Sequence, residues 1–596
     1  MYQSFDVTAR PEQGPPRLQK LRRELERVEL DGFLIPRADA HQGEYVSERD
    51  ERLAWVTGFT GSAGFCAALR NSAGVFIDGR YRSQVKQQVA LDFTPVPWPE
   101  VSLAEWLIEQ LPQGGTIGFD PWHYSAGQIA QLEQALSDHD IHLRQSENLV
   151  DLIWDDQPAA PSQPVTLHPD SQAGETVAQK TQRLSASLKS AGQSAAVLTL
   201  PDSIMWLLNI RGSDVAHHPV ALCFAVLHDT GRVDLFIEAD KLAQSDVDLG
   251  RDVTQHAPSE FLDFIGGLNG SVLVDKATVP QIVADRLGTR MQAGVDLCAL
   301  PKAIKNTAEV EGSAAAHLRD GAAVVELLAW LDTQAPDSCT EIDIVKHLEE
   351  LRRLDPALRE ISFDTIAGTG PNGAIMHYRV TEETNATLED GQLLVLDSGG
   401  QYLDGTTDIT RTIAIGTPGA EEGACFTRVL QGMIAMSRLR WPRGLAGRDI
   451  ECVGRMPLWL AEQDFNHGLG HGVGAYLSVH EGPQRLSRTS DVALQEGMIL
   501  SNEPGYYREG AFGIRIENLV VVEKATALPG GDAERDFLSW RTLTYAPIDR
   551  RLIVADMLST DEKDWLNTYH SEVAEKLAPY LTPHAKAWLA EATQEV

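Results

Sequence analysis

The chain has 596 residues, 43% hydrophobic and 23% charged, an ordinary soluble composition that is too long for a single hydrophobic core. Its 85 acidic residues outnumber 51 basic ones, and the net charge of −34 argues against nucleic acid or a membrane as a partner. With no signal peptide, no membrane-spanning run and no C-x-x-C pair among six cysteines, we expect a cytoplasmic protein of several domains.

The first segment mixes helical and strand patterns. Residues 17–29 have the pattern of a helix, and residues 32–36 and 74–78 read as strands. Residues 158–169 contain four prolines and little apolar periodicity, which indicates a linker. We therefore predict an α/β N-terminal domain over residues 1–158.

A similar pattern returns after the linker. Residues 195–200 and 233–237 are predicted strands, and a small echo accompanies them: Trp55 and Trp206 each stand six residues before a Gly-Ser pair. Matching strings at a domain-sized interval favour duplication over coincidence. We predict a middle α/β domain over residues 170–303, with a fold related to that of the first.

A third domain is predicted over residues 304–596. Residues 300–306 mark its beginning, and Thr307–Val310 have the pattern of an N-cap leading into a helix that continues to about Asp332. Strand-like runs follow in two groups, separated by a helix-containing block, so the domain is expected to be α+β.

Four acidic residues of this domain adjoin the strand-like runs. Asp397 ends one run and Asp408 begins the next, with an Asp-Gly turn signal between them, so these acids are expected to lie roughly opposite each other across a hairpin. Glu503 and Glu517 have the same relation across a second turn at Glu509-Gly510. Each acid alone would more often be an ordinary turn or loop residue.

Together, the four carboxylates indicate a metal site. Acids pushed into one sheet repel each other and stay partly protonated unless cations are present. His471 lies in the glycine-rich segment 466–474, where the backbone can approach a ligand closely. Hard oxygen ligands with one imidazole suit one or two divalent ions such as Mn²⁺, Co²⁺ or Zn²⁺.

The order Asp, Asp, His, Glu, Glu resembles the two-metal "pita-bread" peptidases, and further motifs resemble the long, three-domain Xaa-Pro aminopeptidases (aminopeptidases P). The resemblance covers nearly the whole chain. The motifs that carry it are GPNGAIMHY (370–378), DSG (397–399), DGTTDITRT (404–412), HGLGH (467–471), VHEGP (479–483), NEPGYY (502–507), GIRIEN (513–518), DAHQ (39–42), GFTGSAG (58–64), DGRY (78–81) and DWLNTYH (564–570).

This resemblance implies a catalytic domain with a curved antiparallel sheet, backed by helices and holding two divalent ions in its concave face. Mn²⁺ is the expected metal, with Zn²⁺ or Co²⁺ as alternatives. By resemblance, Asp408 and Glu517 bridge the ions, Asp397 binds one, and His471 and Glu503 bind the other. The implied reaction is attack of a metal-bridging hydroxide, with Glu503 passing the proton to the leaving amine.

The resemblance also implies residues that bind a peptide with proline in second position. An Xaa-Pro bond has no N–H, so its recognition needs an apolar slot instead of a hydrogen bond. His480 is expected to donate to the scissile carbonyl oxygen, a catalytic role, and His377 to line the proline pocket. The further residues expected near substrate are Phe363 in the slot, His467, Arg515 as an orienting partner, and Arg52 of the first domain.

Two alternatives remain at this point: a dipeptide-specific prolidase and a non-catalytic pita-bread binding protein. Relatives of the second kind usually lack metal ligands, whereas this chain has all five. The resemblance implies a homodimer, since the C-terminal stretch is similar to one that helps pair two subunits. Its apolar residues could equally pack on their own domain; they are Trp565, Leu566, Tyr569 and Trp588.

Overall fold

The computed structural model describes residues 1–245, 247–532 and 534–596. The chain forms two compact units: an N-terminal unit of residues 8–299 and a C-terminal unit of residues 300–596 together with residues 1–7. Residues 1–7, predicted to belong to the N-terminal domain, are therefore part of the C-terminal unit. In the structure the Gln3 amide instead donates to the Thr365 carbonyl at 3.2 Å and accepts from the Thr365 N–H at 2.8 Å.

The N-terminal unit contains two six-stranded mixed sheets. The strands described in this unit are β1 (Gly32–Pro36), β2 (Phe65–Leu69), β3 (Ala73–Ile77), β4 (Thr94–Pro97), β5 (Gly115–Phe119), β6 (Ile141–Gln145), β7 (Thr166–Leu167), β8 (Ala195–Leu198), β9 (Ile210–Arg211), β10 (Phe224–His228), β11 (Val233–Phe236), β12 (Val253–His256), β13 (Val272–Asp275) and β14 (Met291–Gly294).

Helices accompany both sheets, and the predicted helix at 17–29 is confirmed as α1, which buries Leu18, Leu21 and Leu25. The helices described from residue 8 to the unit boundary are α1 (Gly14–Arg27), α2 (Arg52–Thr57), α3 (Arg82–Gln88), α4 (Leu103–Gln110), α5 (Ala126–Leu136), α6 (Asp170–Ala173), α7 (Val177–Ser190), α8 (Pro201–Leu208), α9 (Ala239–Ala243), α10 (Phe261–Gly266), α11 (Gln281–Leu287) and α12 (Ala299–Ala303).

The two six-stranded sheets have the same topology. Their strand orders are β4-β3-β2-β1-β5-β6 and β12-β11-β10-β8-β13-β14. Counted in chain order, the first strand of each sheet (β1 or β8) is antiparallel to the second (β2 or β10) and parallel to the fifth (β5 or β13). The two edge strands of each sheet run parallel to their neighbours. The predicted α/β character of both segments is therefore confirmed.

The C-terminal unit is α+β, as predicted, and its strands fall into several antiparallel sheets. The strands described are β15 (Leu358–Ile361), β16 (Ile366–Thr369), β17 (Leu393–Ser398), β18 (Gly400–Tyr402), β19 (Gly405–Thr406), β20 (Ile409–Ala414), β21 (Arg440–Pro442), β22 (Gly470–Gly472), β23 (Glu481–Leu486), β24 (Ile499–Asn502), β25 (Gly505–Arg508), β26 (Phe512–Arg515), β27 (Asn518–Lys524) and β28 (Phe537–Thr542).

The predicted helix from residue 307 is confirmed, but its N-cap is Asn306 and not Thr307. The Asn306 side chain accepts from the Glu309 N–H, and the Glu309 carboxylate accepts from the Asn306 N–H. The helices described in this unit after α12 are α13 (Thr307–Leu331), α14 (Glu341–Arg352), α15 (Ala420–Ser437), α16 (Gly447–Ile450), α17 (Cys452–Trp459), α18 (Thr560–Leu577) and α19 (Pro583–Ala592).

Two sheets of the C-terminal unit carry the candidate site, β16-β17-β20 and β21-β28-β27-β24-β22-β23. The core beside them includes the buried face of α15, where Phe426, Leu430 and Met433 are fully enclosed. The C-terminal helices α18 and α19 pack on the same core: Leu566 and Tyr569 are buried in it. Within the described residues, no helix is both long and apolar enough to cross a membrane.

Candidate metal centre

The four acids stand at the ends of paired strands. Asp397 lies on β17, whose antiparallel partner β20 begins directly after Asp408. Strand β24 pairs with β27 through Asn502 and Asn518, so Glu503 and Glu517 flank a paired position of the second sheet.

Hydrogen bonds join the two acid-bearing sheets. The Glu517 N–H donates to the Thr410 carbonyl at 3.1 Å, and the Thr410 hydroxyl donates to Glu517 Oε2 at 2.7 Å. Two residues further along β20, the Thr412 hydroxyl donates to the Arg515 carbonyl at 2.9 Å. These contacts hold the acids of both strand pairs in one cluster.

His471 completes the cluster from β22, the neighbour of β24. Its Nε2 lies 3.5 Å from Asp408 Oδ2 and 3.5 Å from Glu503 Oε1. Single ligand atoms of Asp408, His471 and Glu517 all lie within 4.8 Å of one another. The Nδ1 atom lies 3.0 Å from the Gly472 carbonyl, which can only accept, so Nδ1 carries the proton and Nε2 presents a lone pair.

Burial and mutual repulsion raise the pKa values of three acids of the cluster. Burial, followed by the charges of Asp397 and Glu503, raises the pKa of Asp408 well above its ordinary value. Burial and the Asp408 charge do the same to the pKa of Glu517. Burial, with Glu517 next in importance, raises the pKa of Glu503 to about 7.

Three carboxylate oxygens of the cluster show that the site fits metal ions. Asp397 Oδ1, Asp408 Oδ1 and Glu517 Oε1 are buried and have no hydrogen-bond partner among the residues that the structure describes. Buried polar atoms in folded proteins are almost always satisfied, so such orphans call for an ion or a ligand. Hard carboxylate oxygens with one imidazole are a donor set that divalent cations accept.

Arg515 is connected to both Asp397 and His467. Its guanidinium donates to Asp397 Oδ2 at 2.6 Å and to the Tyr507 hydroxyl at 2.6 Å. His467 Nδ1 lies 2.7 Å from the Gly468 carbonyl and must donate to it, which leaves Nε2 to accept from the Tyr507 hydroxyl at 3.0 Å. The sequence motifs assign Tyr507 no role, although its position four residues after Glu503 is a signal that it lies near the site.

The remaining residues predicted on the substrate side of the domain are His480, His377 and Phe363. The His480 ring lies 4.4 Å from the His471 ring, at an interplanar angle of 77°. His377 and Phe363 are both half-buried. The loop that carries His377 is anchored by Glu341, which accepts from the Thr369 N–H at 2.7 Å.

Arg52 is a buried arginine and not an exposed one. It belongs to α2 of the N-terminal unit, is 5% exposed, and donates to both carboxylate oxygens of Asp151 at 2.7 and 2.9 Å. A third bond of 2.7 Å joins it to Asp50. Its role toward substrate stays a prediction.

Sequence reasoning missed a buried ion pair behind β17. Arg352 Nε donates to Asp320 Oδ1 at 2.5 Å, and its Nη2 donates to the hydroxyl of Ser398, the neighbour of Asp397, at 3.0 Å. Thr407, the neighbour of Asp408, donates to the same aspartate. The pair joins residues 32 positions apart, so no local pattern could have indicated it.

Family models match almost the whole chain. "Metallopeptidase family M24" matches residues 311–524 and "C-terminal region of peptidase_M24" residues 536–596. Two models described as "Creatinase/Prolidase N-terminal domain" match residues 17–153 and 156–309.

Named relatives are similar over most of their length. Aminopeptidase P2 of Arabidopsis thaliana is 37% identical over 93% of this chain and 84% of its own. Aminopeptidase P1 of Lotus japonicus is 35% identical over 95% of this chain and 97% of its own. The solved X-prolyl aminopeptidase of Caenorhabditis elegans, described as a cytosolic enzyme with a di-nuclear active site, superposes with a TM-score of 0.93 at 32% identity, covering 98% of this chain and 100% of that one.

Proposed function

We propose that this chain, which belongs to the aminopeptidase P group of metallopeptidase family M24, releases the N-terminal residue from peptides whose second residue is proline. The observation that supports this proposal best is the cluster of buried carboxylates beside His471, three of whose oxygens have no hydrogen-bond partner among the described residues. The chain also aligns over more than nine tenths of its length with relatives named for this activity. The same cluster weighs against a non-catalytic binding protein.

Two divalent ions are proposed to occupy the cluster, with Mn²⁺ expected and Zn²⁺ or Co²⁺ as alternatives. Asp408 and Glu517 would bridge the ions, Asp397 would bind one, and His471 and Glu503 the other. When bound, such ions supply an activated water at neutral pH and polarise the substrate carbonyl. Support comes from the donor set and from the raised pKa values of the buried acids, which a cation would reverse.

Glu503 is proposed as the proton carrier. Its carboxyl group accepts from the Ser501 hydroxyl at 3.1 Å and faces His471, and its pKa of about 7 without metal lies near the operating pH. It would take a proton from the attacking water and deliver it to the leaving proline nitrogen. That nitrogen must gain a proton as the C–N bond breaks, because it would otherwise leave as a strongly basic amide anion.

Six further residues are proposed to bind the peptide. His480, beside His471, would donate to the carbonyl oxygen as negative charge develops there. Arg515 donates a hydrogen bond to Asp397, and a second hydrogen bond to the Tyr507 hydroxyl fixes its guanidinium. The others keep the roles that the sequence resemblance implies: His377 and Phe363 around the proline ring, His467 on the substrate side, and Arg52 toward the peptide.

The test is hydrolysis of an Xaa-Pro-Yaa peptide by the full chain with Mn²⁺. We expect turnover that a chelator abolishes, and we expect Glu517→Ala to lower the rate by roughly 10³-fold or more and to reduce the bound metal. Asp561→Ala, at an exposed acid paired with Arg438, is the matched control and should retain activity. Full turnover by Glu517→Ala would contradict the proposed metal set.

A prolidase would be distinguished by substrate length. Aminopeptidase activity predicts cleavage of Arg-Pro-Pro-type tripeptides and longer peptides, whereas a prolidase would cleave Xaa-Pro dipeptides alone. Comparing kcat/KM for the two lengths at the same metal concentration separates the two activities.

We also propose that the enzyme is a cytoplasmic homodimer with no nucleic-acid or membrane partner. The common topology of the two N-terminal sheets supports their origin by duplication, and membership of the family supports a curved sheet around the metals. Light scattering checks the oligomeric state against the chain mass of 65.3 kDa.

A further inference from the structure

Two buried lysines share one buried glutamate at the edge of the candidate site. Lys302 Nζ lies 3.0 Å from Glu481 Oε1, and Lys305 Nζ lies 2.5 Å from Glu481 Oε2. The side chains of all three residues are at most 2% exposed. Lys305 Nζ also donates to the Lys302 carbonyl at 2.6 Å, which closes the arrangement. We call these three residues the lysine clasp.

The clasp spans three neighbouring strands. On one side its lysine segment is fixed at the beginning of β24: the Lys305 N–H donates to the Gly497 carbonyl at 3.0 Å, and Ile304 forms a β-bridge with Met498. Gly497 has a φ of +88°, and a Cβ there would lie 2.4 Å from the Lys305 carbonyl oxygen, so only glycine permits this approach. On the other side, Glu481 begins β23, and β22 lies between the two strands.

Stability alone does not account for these charges. Removing an ion from water costs several kcal/mol even after relaxation, and a buried ion pair is often replaceable by apolar residues without loss of stability. The clasp buries two ammonium groups and one carboxylate. An apolar cluster of the same size would be sufficient for stability alone. The charged groups are explained if their role is to fix a geometry.

The geometry that the clasp fixes is that of two histidines. Glu481 directly follows His480, and its backbone pairs with Gly472, which directly follows His471. The strand register shifts between His471 and Gly472, so regular pairing does not continue through this point. The relative position of the two rings, 4.4 Å apart, therefore depends on how firmly Glu481 is held.

We propose that the lysine clasp is a positioning device that holds His480 beside His471 and so aims it at the substrate carbonyl. This inference rests on the proposed function, because it assigns the clasp an effect on the step in which His480 donates to that oxygen. In this proposal the clasp residues act through the backbone of Glu481, the neighbour of His480.

The first test is Glu481→Gln in the full, metal-loaded chain, assayed on an Xaa-Pro-Yaa peptide. Misplacing a transition-state donor lowers kcat, so we expect a fall of about 10- to 100-fold with KM within about twofold. Metal content should stay equal to that of the unmodified chain. An unchanged kcat with a lowered Tm would show a merely structural role and overturn the proposal.

The second test repeats Glu481→Gln in a His480→Ala background. If the clasp acts through His480, the second substitution adds no further loss of kcat; an equal fold loss in both backgrounds would overturn the proposal. Asp234→Asn is the matched control, because it neutralises a buried acid of the N-terminal unit that pairs with His228 and His256. It should lower Tm without changing kcat.

Two further measurements keep the outcomes distinct. Should Glu481→Gln fail to fold, Lys305→Met retains one lysine on the carboxylate and is expected to lower kcat in the same way. If the unmodified chain cleaves no Xaa-Pro peptide, the proposed function is wrong. The clasp is then tested separately, by comparing crystal structures of the unmodified chain and the substituted chain. An increase of more than about 0.5 Å in the His471–His480 ring separation on substitution supports it, and an unchanged separation overturns it.

Discussion

Glu503 is the residue at which the electrostatic cost of the acid cluster is easiest to measure. Its carboxyl group is buried beside three other acids, and its pKa without metal rises from 4.5 to about 7. A carboxyl group that binds its proton more tightly in the folded state stabilises the fold only while it stays protonated. The same reasoning applies in direction to Asp408 and Glu517, whose pKa values are also raised.

The metal-free protein should therefore lose stability as pH rises. The contribution of Glu503 is fully present below about pH 4.5 and is lost as pH rises through about 7, an effect of ~3 kcal/mol at most. Differential scanning calorimetry with chelator should give a lower Tm at pH 8 than at pH 6. Added Mn²⁺ should raise Tm more at pH 8, where the ligands are ionised.

Glu503→Gln is the control for this pH dependence. It removes the titrating group with little change in shape, so the fall of Tm between pH 6 and pH 8 should become smaller. An identical fall in the variant and the unmodified chain would assign the effect to other groups.

At the scale of strands and helices, segments with strong local patterns were predictable. Strand β1 was predicted at its observed bounds, and α13 to within one residue of its end. Tertiary pairing was not predictable where the partners are far apart in the chain. The clasp joins Lys305 to Glu481 across 176 positions, and neither residue has a neighbour pattern that indicates the other.

The acids were also predictable to within one residue of the strands that carry or adjoin them, because apolar runs and turn signals are local. It could not show which groups would surround them. The partners of Arg515 and the buried pair of Asp320 and Arg352 are set by the packing of separate elements. The C-terminal aromatic residues could equally have been interface or core from their pattern alone; Tyr569 is core, with its hydroxyl 2.9 Å from Arg411 Nη2.

The pair of Asp320 on α13 and Arg352 on α14 supports strand β17 and the turn before β20. Asp320→Asn leaves Arg352 as a buried charge without its counter-ion, and we expect the free energy of unfolding to fall by about 3–5 kcal/mol. Because Ser398 and Thr407 lose their fixed partners, metal affinity should fall as well. Urea unfolding and metal titration measure the two effects.

Glu326→Gln provides the comparison on the same helix. Its half-buried side chain accepts from the N–H and the hydroxyl of Thr582 at the beginning of α19, away from the acid-bearing strands. Metal affinity should be unaffected in this variant. An equal loss of metal affinity in both variants would show that the buried pair has no special connection with the site.

At the scale of the whole molecule, the net charge of −34 is the dominant electrostatic fact. Like charges spread over a compact surface repel one another, and salt screens that repulsion over about 10 Å at 0.1 M. Tm should therefore rise when NaCl is increased from low to moderate concentration at fixed pH and saturating metal. A fall in Tm over the same range would mean that surface ion pairs contribute more than the repulsion.

The position of residues 1–7 in the C-terminal unit has a consequence for the timing of folding. Gln3 and its partner Thr365 are 362 residues apart in the chain. At 5–20 residues per second, a ribosome adds the second about 20–70 s after the first. The N-terminal unit, residues 8–299, is complete before that partner exists. Residues 1–7 are thus made before the N-terminal unit, yet they can reach their place in the C-terminal unit only after the N-terminal unit has been synthesised.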